Sequence, residues 1–146
     1  MIKYIARFIG VRERPIVITT TELRVLSLER LEDAKILYAA KRYEGAVYIC
    51  GYANELALKR RICLTLGWVE YPDDGKGSDK YKSFKTHELE ILLHLSGFEN
   101  EIKNKYFAEW SIVVSWKPEM RYSFRKQSDA EAKLMIQSTE KLLKIL

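Results

Sequence analysis

The sequence predicts an all-α protein, an up-and-down bundle of four to five helices with an N-terminal extension. Three observations lead there. The 146 residues hold only seven glycines and three prolines, too few for a turn-dense β protein. Long stretches free of both carry apolar residues at helical spacing. Start and stop signals punctuate those stretches, among them the capping-box sequence Ser128-Asp129-Ala130-Glu131 and the closing Gly67. At 47% hydrophobic and 31% charged the chain can bury a core, and its length fits one domain.

Residues 1–27 read as an arm and 28–146 as the helical domain. In the arm, Ile2, Ile5, Phe8 and Ile9 have helical spacing, but Pro15 and the β-branched run from Ile16 to Thr20 favour an extended segment. Such an arm packs on the body or pairs with another chain. From about Thr21 the pattern is helical. Leu31, Ala34, Leu37 and Tyr38 form its stripe. The pairs Arg30–Asp33 and Glu32–Lys35 support it, and Glu29–Asp33 opposes it. A break near Arg42-Tyr43 opens a second helix, YEGAVYICGYANELALKRRICLTLG, closed by Gly67.

Residues 68–85 read as a loop around the turn sequence Pro72-Asp73-Asp74-Gly75 and the flexible Gly77-Ser78-Asp79. Thr86 then reads as the N-cap of a third helix, with Glu88 and Glu90 in its first turn and Gly97 at its end. A fourth helix is expected over Glu99 to Trp116, on the apolar line Ile102, Tyr106, Trp110 and Val113, until Pro118 breaks it. The basic connector MRYSFRKQ leads to a last helix whose stripe is Ala132, Met135, Ile136, Thr139, Leu142, Leu143 and Leu146.

The formal charge of +5 and pI near 9.1 favour a polyanionic partner without requiring one. Cys50 and Cys63 lie 13 residues apart on one predicted helix. At about 1.5 Å per residue they are roughly 20 Å apart, so they read as core thiols of a reduced, cytoplasmic protein. No apolar run approaches the ~18 residues of a membrane span, and Lys3 and Arg7 interrupt the N terminus as a secretory signal.

Tyr48, Tyr52, Glu55 and Lys59 fall 4, 3 and 4 residues apart, on one face of the second helix. This face is either a polar outer stripe or an aromatic-lined surface for a nucleotide or a partner protein. Arg60, Arg61, Lys80, Lys82, Lys85, Arg121, Arg125 and Lys126 alternate with Tyr81, Phe84, Tyr122 and Phe124. Such a set can neutralise phosphates and stack bases, or form an ordinary solvated basic surface. His87 is a candidate general acid or base, or a first-turn residue packed locally; His94, among leucines, reads as structural. No zinc spacing, Gly-rich phosphate loop, GxSxG or HExxH is present, so no metal or cofactor is expected.

These segments together resemble the HEPN domain family. The resemblance rests on RYEGAVYICGYANELALKRRI, THELEILL and WKPEMRYS ahead of a last amphipathic helix, and within them on Tyr43, Ala46, Gly51, Tyr52, Ala53, Glu55, Leu58, Lys59, Thr86, His87, Glu88 and Leu89. It covers about residues 28 to 146. It implies a helical bundle that commonly forms homodimers, associates with nucleotides or RNA, and often stands beside a nucleotidyltransferase in toxin–antitoxin or defence systems. Many members are metal-independent ribonucleases with an Arg-x4–6-His motif. Here the positions that arginine would take before His87 hold Lys80, Tyr81 and Lys82, and before His94 they hold His87, Glu88 and Leu89. Lysine lacks the planar fork of arginine.

Three readings follow. The first is a non-catalytic HEPN-type module binding nucleotide or RNA, or docking a nucleotidyltransferase. Its binding residues would be Tyr52, Glu55, Lys59, Lys82, His87, Arg121 and Arg125. The second is a ribonuclease with a degenerate motif, His87 being its only catalytic candidate. The third is a structural dimer or assembly subunit.

Overall fold

A computed structural model describes residues 17–72 and 79–146. Residues 1–16 of the arm and residues 73–78, where the sequence predicts a turn, lie outside the described residues. The described chain is all-helical and forms six α-helices: α1 Thr20–Ala39, α2 Tyr43–Leu66, α3 Leu89–Leu95, α4 Glu99–Lys105, α5 Phe107–Val113 and α6 Asp129–Leu143. Two short 3-10 turns, Asp79–Phe84 and Pro118–Tyr122, lie between them.

Helix α1 starts on a capping box that the sequence reading passed over. The Thr19 hydroxyl accepts from the Glu22 amide (3.2 Å), and the Glu22 carboxylate accepts from the Thr19 amide (2.8 Å). α1 therefore runs without interruption across the 27/28 junction. The described end of the arm pairs with the body: Tyr71 N donates to Ile18 O (3.0 Å) and Thr20 N to Val69 O (2.9 Å), around an antiparallel bridge between Thr19 and Glu70.

Helix α2 is the centre of the molecule. α1 packs along it most extensively, and α6 and α3 cover other faces of it. Ala46, Cys50, Ala53, Ala57, Leu58 and Ile62 are buried along its length. The helix ends as expected at Gly67, whose φ of 69° is open to glycine at little cost. Both cysteines are unpaired and buried within α2, and burial pushes the Cys50 thiol up to about 12. The capping box of α6 forms as its sequence predicts, with Ser128 Oγ accepting from Glu131 N at 3.1 Å. α6 buries Ala132, Met135, Ile136, Thr139 and Leu142. Asn54 fastens α2 to α6 by donating to Cys50 O (3.0 Å) and to Thr139 Oγ1 (2.8 Å).

Two expected elements are corrected. Thr86 does not cap α3. Its hydroxyl accepts from Glu88 N (3.1 Å), two residues on, in a local turn, and the helix begins only at Leu89 with Glu88 at the cap position. His87 therefore lies in an extended linker ahead of α3 rather than in its first turn. The expected helix from Glu99 to Trp116 is divided at Tyr106, where φ is −129°, and ends at Val113. The apolar line survives the division: Ile102, Trp110 and Val113 are all buried.

Trp116 lies beyond α5 and is buried against the middle of α2. Its indole donates to Tyr48 O (3.0 Å), and its ring occupies the space above Gly51. A Cβ at Gly51 would come within 2.0 Å of that ring. Among the described residues no helix is long and apolar enough to cross a membrane.

Candidate functional site

The face of α2 that carries Tyr48, Tyr52, Glu55 and Lys59 is in large part covered and is not a polar outer stripe. The Glu55 side chain is only 5% exposed and that of Lys59 16%. Residues 51, 55, 58 and 62 share one helical register, and three of them are apolar or glycine. Glu55 thus places a carboxylate in a row that otherwise packs the core. A buried carboxylate needs compensating partners, and it has two. Lys59 Nζ donates to Glu55 Oε1 at 2.7 Å, the i,i+4 pair anticipated from spacing. His87 Nδ1 lies 2.9 Å from the same oxygen, across 32 residues of chain.

The second oxygen, Glu55 Oε2, is buried and has no partner among the described residues. Lys59 is held from another side by the ring of Tyr71, with its ammonium 5.3 Å from the centroid. Tyr71 is buried, donates to Phe84 O at 2.6 Å, and has its phenol pushed up, first by burial and then by the charges of Cys63 and Glu55.

A carboxylate oxygen only accepts, so His87 Nδ1 carries the proton of this contact. Nε2 is then the ring nitrogen left for a ligand. The His87 side chain is 63% exposed, and it borders two clefts. One, of about 210 Å³, reaches past Lys59 to Tyr71 and Phe84. The other, of about 740 Å³, runs past Leu89 and Trp116 to Lys117. Lys85 borders both. Buried Glu55 orients an exposed imidazole, while two cationic side chains flank it.

One turn before Glu55 on α2, Tyr52 and Tyr48 join their hydroxyls at 3.1 Å, with their rings edge to face at 5.2 Å. The hydrogen bond to Tyr48, then burial, push the Tyr52 phenol up to about 12. Arg121, in the turn Pro118–Tyr122, stacks on Tyr122 at 4.8 Å, and contacts to Tyr122 and Tyr48 strengthen its hold on its proton. The tyrosine pair thus links Arg121 to the Glu55 face.

Of the residues singled out by sequence, Tyr52, Glu55, Lys59, His87 and Arg121 share this side of α2. Lys82 and Arg125 stand apart. Lys82 is exposed in the turn Asp79–Phe84 and borders neither cleft. Arg125 is engaged by Glu131 at 2.6 Å, beside the cap of α6. His94 is a surface residue paired with Glu99 at 2.7 Å, not a packed one.

Sequence reasoning missed the joining of His87 to Glu55, and with it the parts played by Tyr71 and Trp116. The signal available was a glutamate inside an apolar register. Among the described residues no group of three histidine, cysteine or carboxylate side chains is placed to hold a metal ion. No family model, curated protein or solved structure matches the chain.

Proposed function

We propose that the chain is a HEPN-type helical module that binds the phosphates of a nucleotide or RNA along the Glu55–His87 face of α2. The observation that carries this reading is His87 held at 2.9 Å by a buried glutamate, with Lys59 on the same oxygen and Lys85 beside it. An imidazole fixed in this way offers one nitrogen to a phosphate oxygen, and the lysines and Arg121 supply charge. Tyr52 and Tyr48 supply aromatic edges beside it. The reading includes a homodimer, a nucleotidyltransferase partner, and a cytoplasmic setting in which Cys50 and Cys63 stay reduced.

Titration with ATP, GTP and a short single-stranded RNA tests it. Saturable binding that is lost in Lys59→Ala and His87→Ala is expected. Binding no stronger than that of an unrelated basic helical protein would sink it.

The same contact favours a second reading, a metal-independent ribonuclease. With Nδ1 directed to Glu55, Nε2 of His87 can take the proton of a ribose 2′-hydroxyl, which then attacks the adjacent phosphorus and expels the 5′-oxygen. Lys82 holds one of the three positions that the family's arginine would take but borders neither His87 cleft, so the charge on phosphate falls to Lys59, Lys85 or Arg121. RNA cleavage in the presence of a chelator, abolished in His87→Ala, would establish it. Cleavage unchanged in that variant would exclude it.

A further inference from the structure

A different part of the molecule gathers positive charge in excess of the acidic side chains beside it. Arg60 and Arg61 follow Lys59 on α2 and turn about 100° and 200° away from it around the helix. They face a cleft of about 580 Å³ between α1, α2 and the end of α6, which Arg24 of α1 also lines. That size lies within the range of about 300–1,000 Å³ typical of small-ligand sites.

The two carboxylates of this cleft, Glu32 and Glu140, are both taken by Lys35, each at 2.8 Å. Among the described residues Arg24, Arg60 and Arg61 form no salt bridge with an aspartate or glutamate. Arg60 instead donates to Leu146 O at 2.8 Å, and Arg61 stacks on Phe98 at 4.1 Å. Both guanidinium groups are thus fixed in place. Arg60 loses some of its hold on its proton, first through burial and then through the charges of Arg24 and Arg61. The Arg61 Nε is buried and has no partner among the described residues. Apart from Ser27 and Lys144 the remaining wall is apolar, and Leu28 and Leu64 leave 44% and 42% of their surfaces exposed.

We propose that this cleft binds a small amphiphilic anion, its oxyanion head on Arg24, Arg60 and Arg61 and its apolar body on Leu28 and Leu64. Guanidinium groups match phosphate and carboxylate heads in planar pairs of hydrogen bonds. An inorganic ion would satisfy the arginines but leave the leucines wet; a ligand with a short hydrocarbon or flat apolar part covers both. The site is independent of the Glu55–His87 face, and neither proposal depends on the other.

Calorimetric titration of the whole chain with inorganic phosphate, octyl phosphate and octanoate tests it. Octyl phosphate should bind at least about tenfold more tightly than phosphate, because its chain buries apolar surface. Arg24→Gln and Arg60→Gln should each weaken it about tenfold, and Lys105→Ala, at the exposed end of α4, should leave it unchanged. Octyl phosphate stronger than octanoate marks a phosphate head, and the reverse a carboxylate head; both uphold the site. Arg24 is exposed, so its variant keeps the fold even if Arg60→Gln does not. Equal affinity for phosphate and octyl phosphate would overturn the proposal, as would binding unchanged in Arg24→Gln.

Discussion

Glu55 stabilises the molecule only together with its partners. Taking a carboxylate out of water costs several kcal/mol, and Lys59 and His87 return that cost through one oxygen. Glu55→Ala would leave Lys59 partly buried and unpaired, and should cost about 3 kcal/mol in chemical denaturation. Replacing the pair by Glu55→Leu with Lys59→Met should recover most of that loss while abolishing ligand binding, since apolar groups of similar size fill the space without a charge to compensate. Gly51 is a second point where one atom decides. Elsewhere on a helix alanine outranks glycine by about 1 kcal/mol. Here its Cβ would enter the Trp116 ring, so Gly51→Ala should destabilise by about 2 kcal/mol net, and adding Trp116→Leu should soften the effect. Thermal melts of the single and double variants measure both.

At the scale of elements, the helices that were legible in sequence are those with complete local signals. α2 and α6 stand where the apolar period, Gly67 and Ser128-Asp129-Ala130-Glu131 put them. α3 was misplaced because Thr86 offers two local uses for its hydroxyl, a helix cap or a turn to Glu88, and the sequence does not distinguish them. The division at Tyr106 carries no glycine or proline and keeps the apolar line intact, so periodicity alone could not reveal it. The same limit hid the site. Spacing put Glu55 and Lys59 side by side, whereas His87 meets them only through the path of a loop 32 residues away. Caps themselves make a measurable prediction. Thr19→Ala and Ser128→Ala should each cost about 1 kcal/mol, because each hydroxyl answers an otherwise unpaired helix amide. They sit on different helices and share no hydrogen-bond partner, so their effects should add within about 0.5 kcal/mol, as judged by urea midpoints.

For the whole molecule, a central helix divides two charged surfaces. One face of α2 carries Glu55 with Lys59 and His87; the turn beyond it carries Arg60 and Arg61 toward α1 and α6. If Lys59, Lys85 and Arg121 each neutralise one RNA phosphate, log affinity should fall with log salt at a slope of about −2, at roughly −0.7 per phosphate for a single strand. A slope near zero in a salt series would separate the protein from backbone recognition. The described end of the arm, Ile18 and Thr19, joins the body beside Glu70 and Tyr71, which borders one of the His87 clefts. The chain has only two histidines, His87 on the proposed face and His94 on the surface with Glu99. Proton–nitrogen spectra of the two imidazole rings during titration with ATP or short RNA therefore read the proposed site directly. The account predicts saturable shifts of the His87 ring nitrogens, unmoved His94 signals, and loss of the response in Lys59→Ala. A response centred on His94, or none at either ring while the ligand binds, would contradict it.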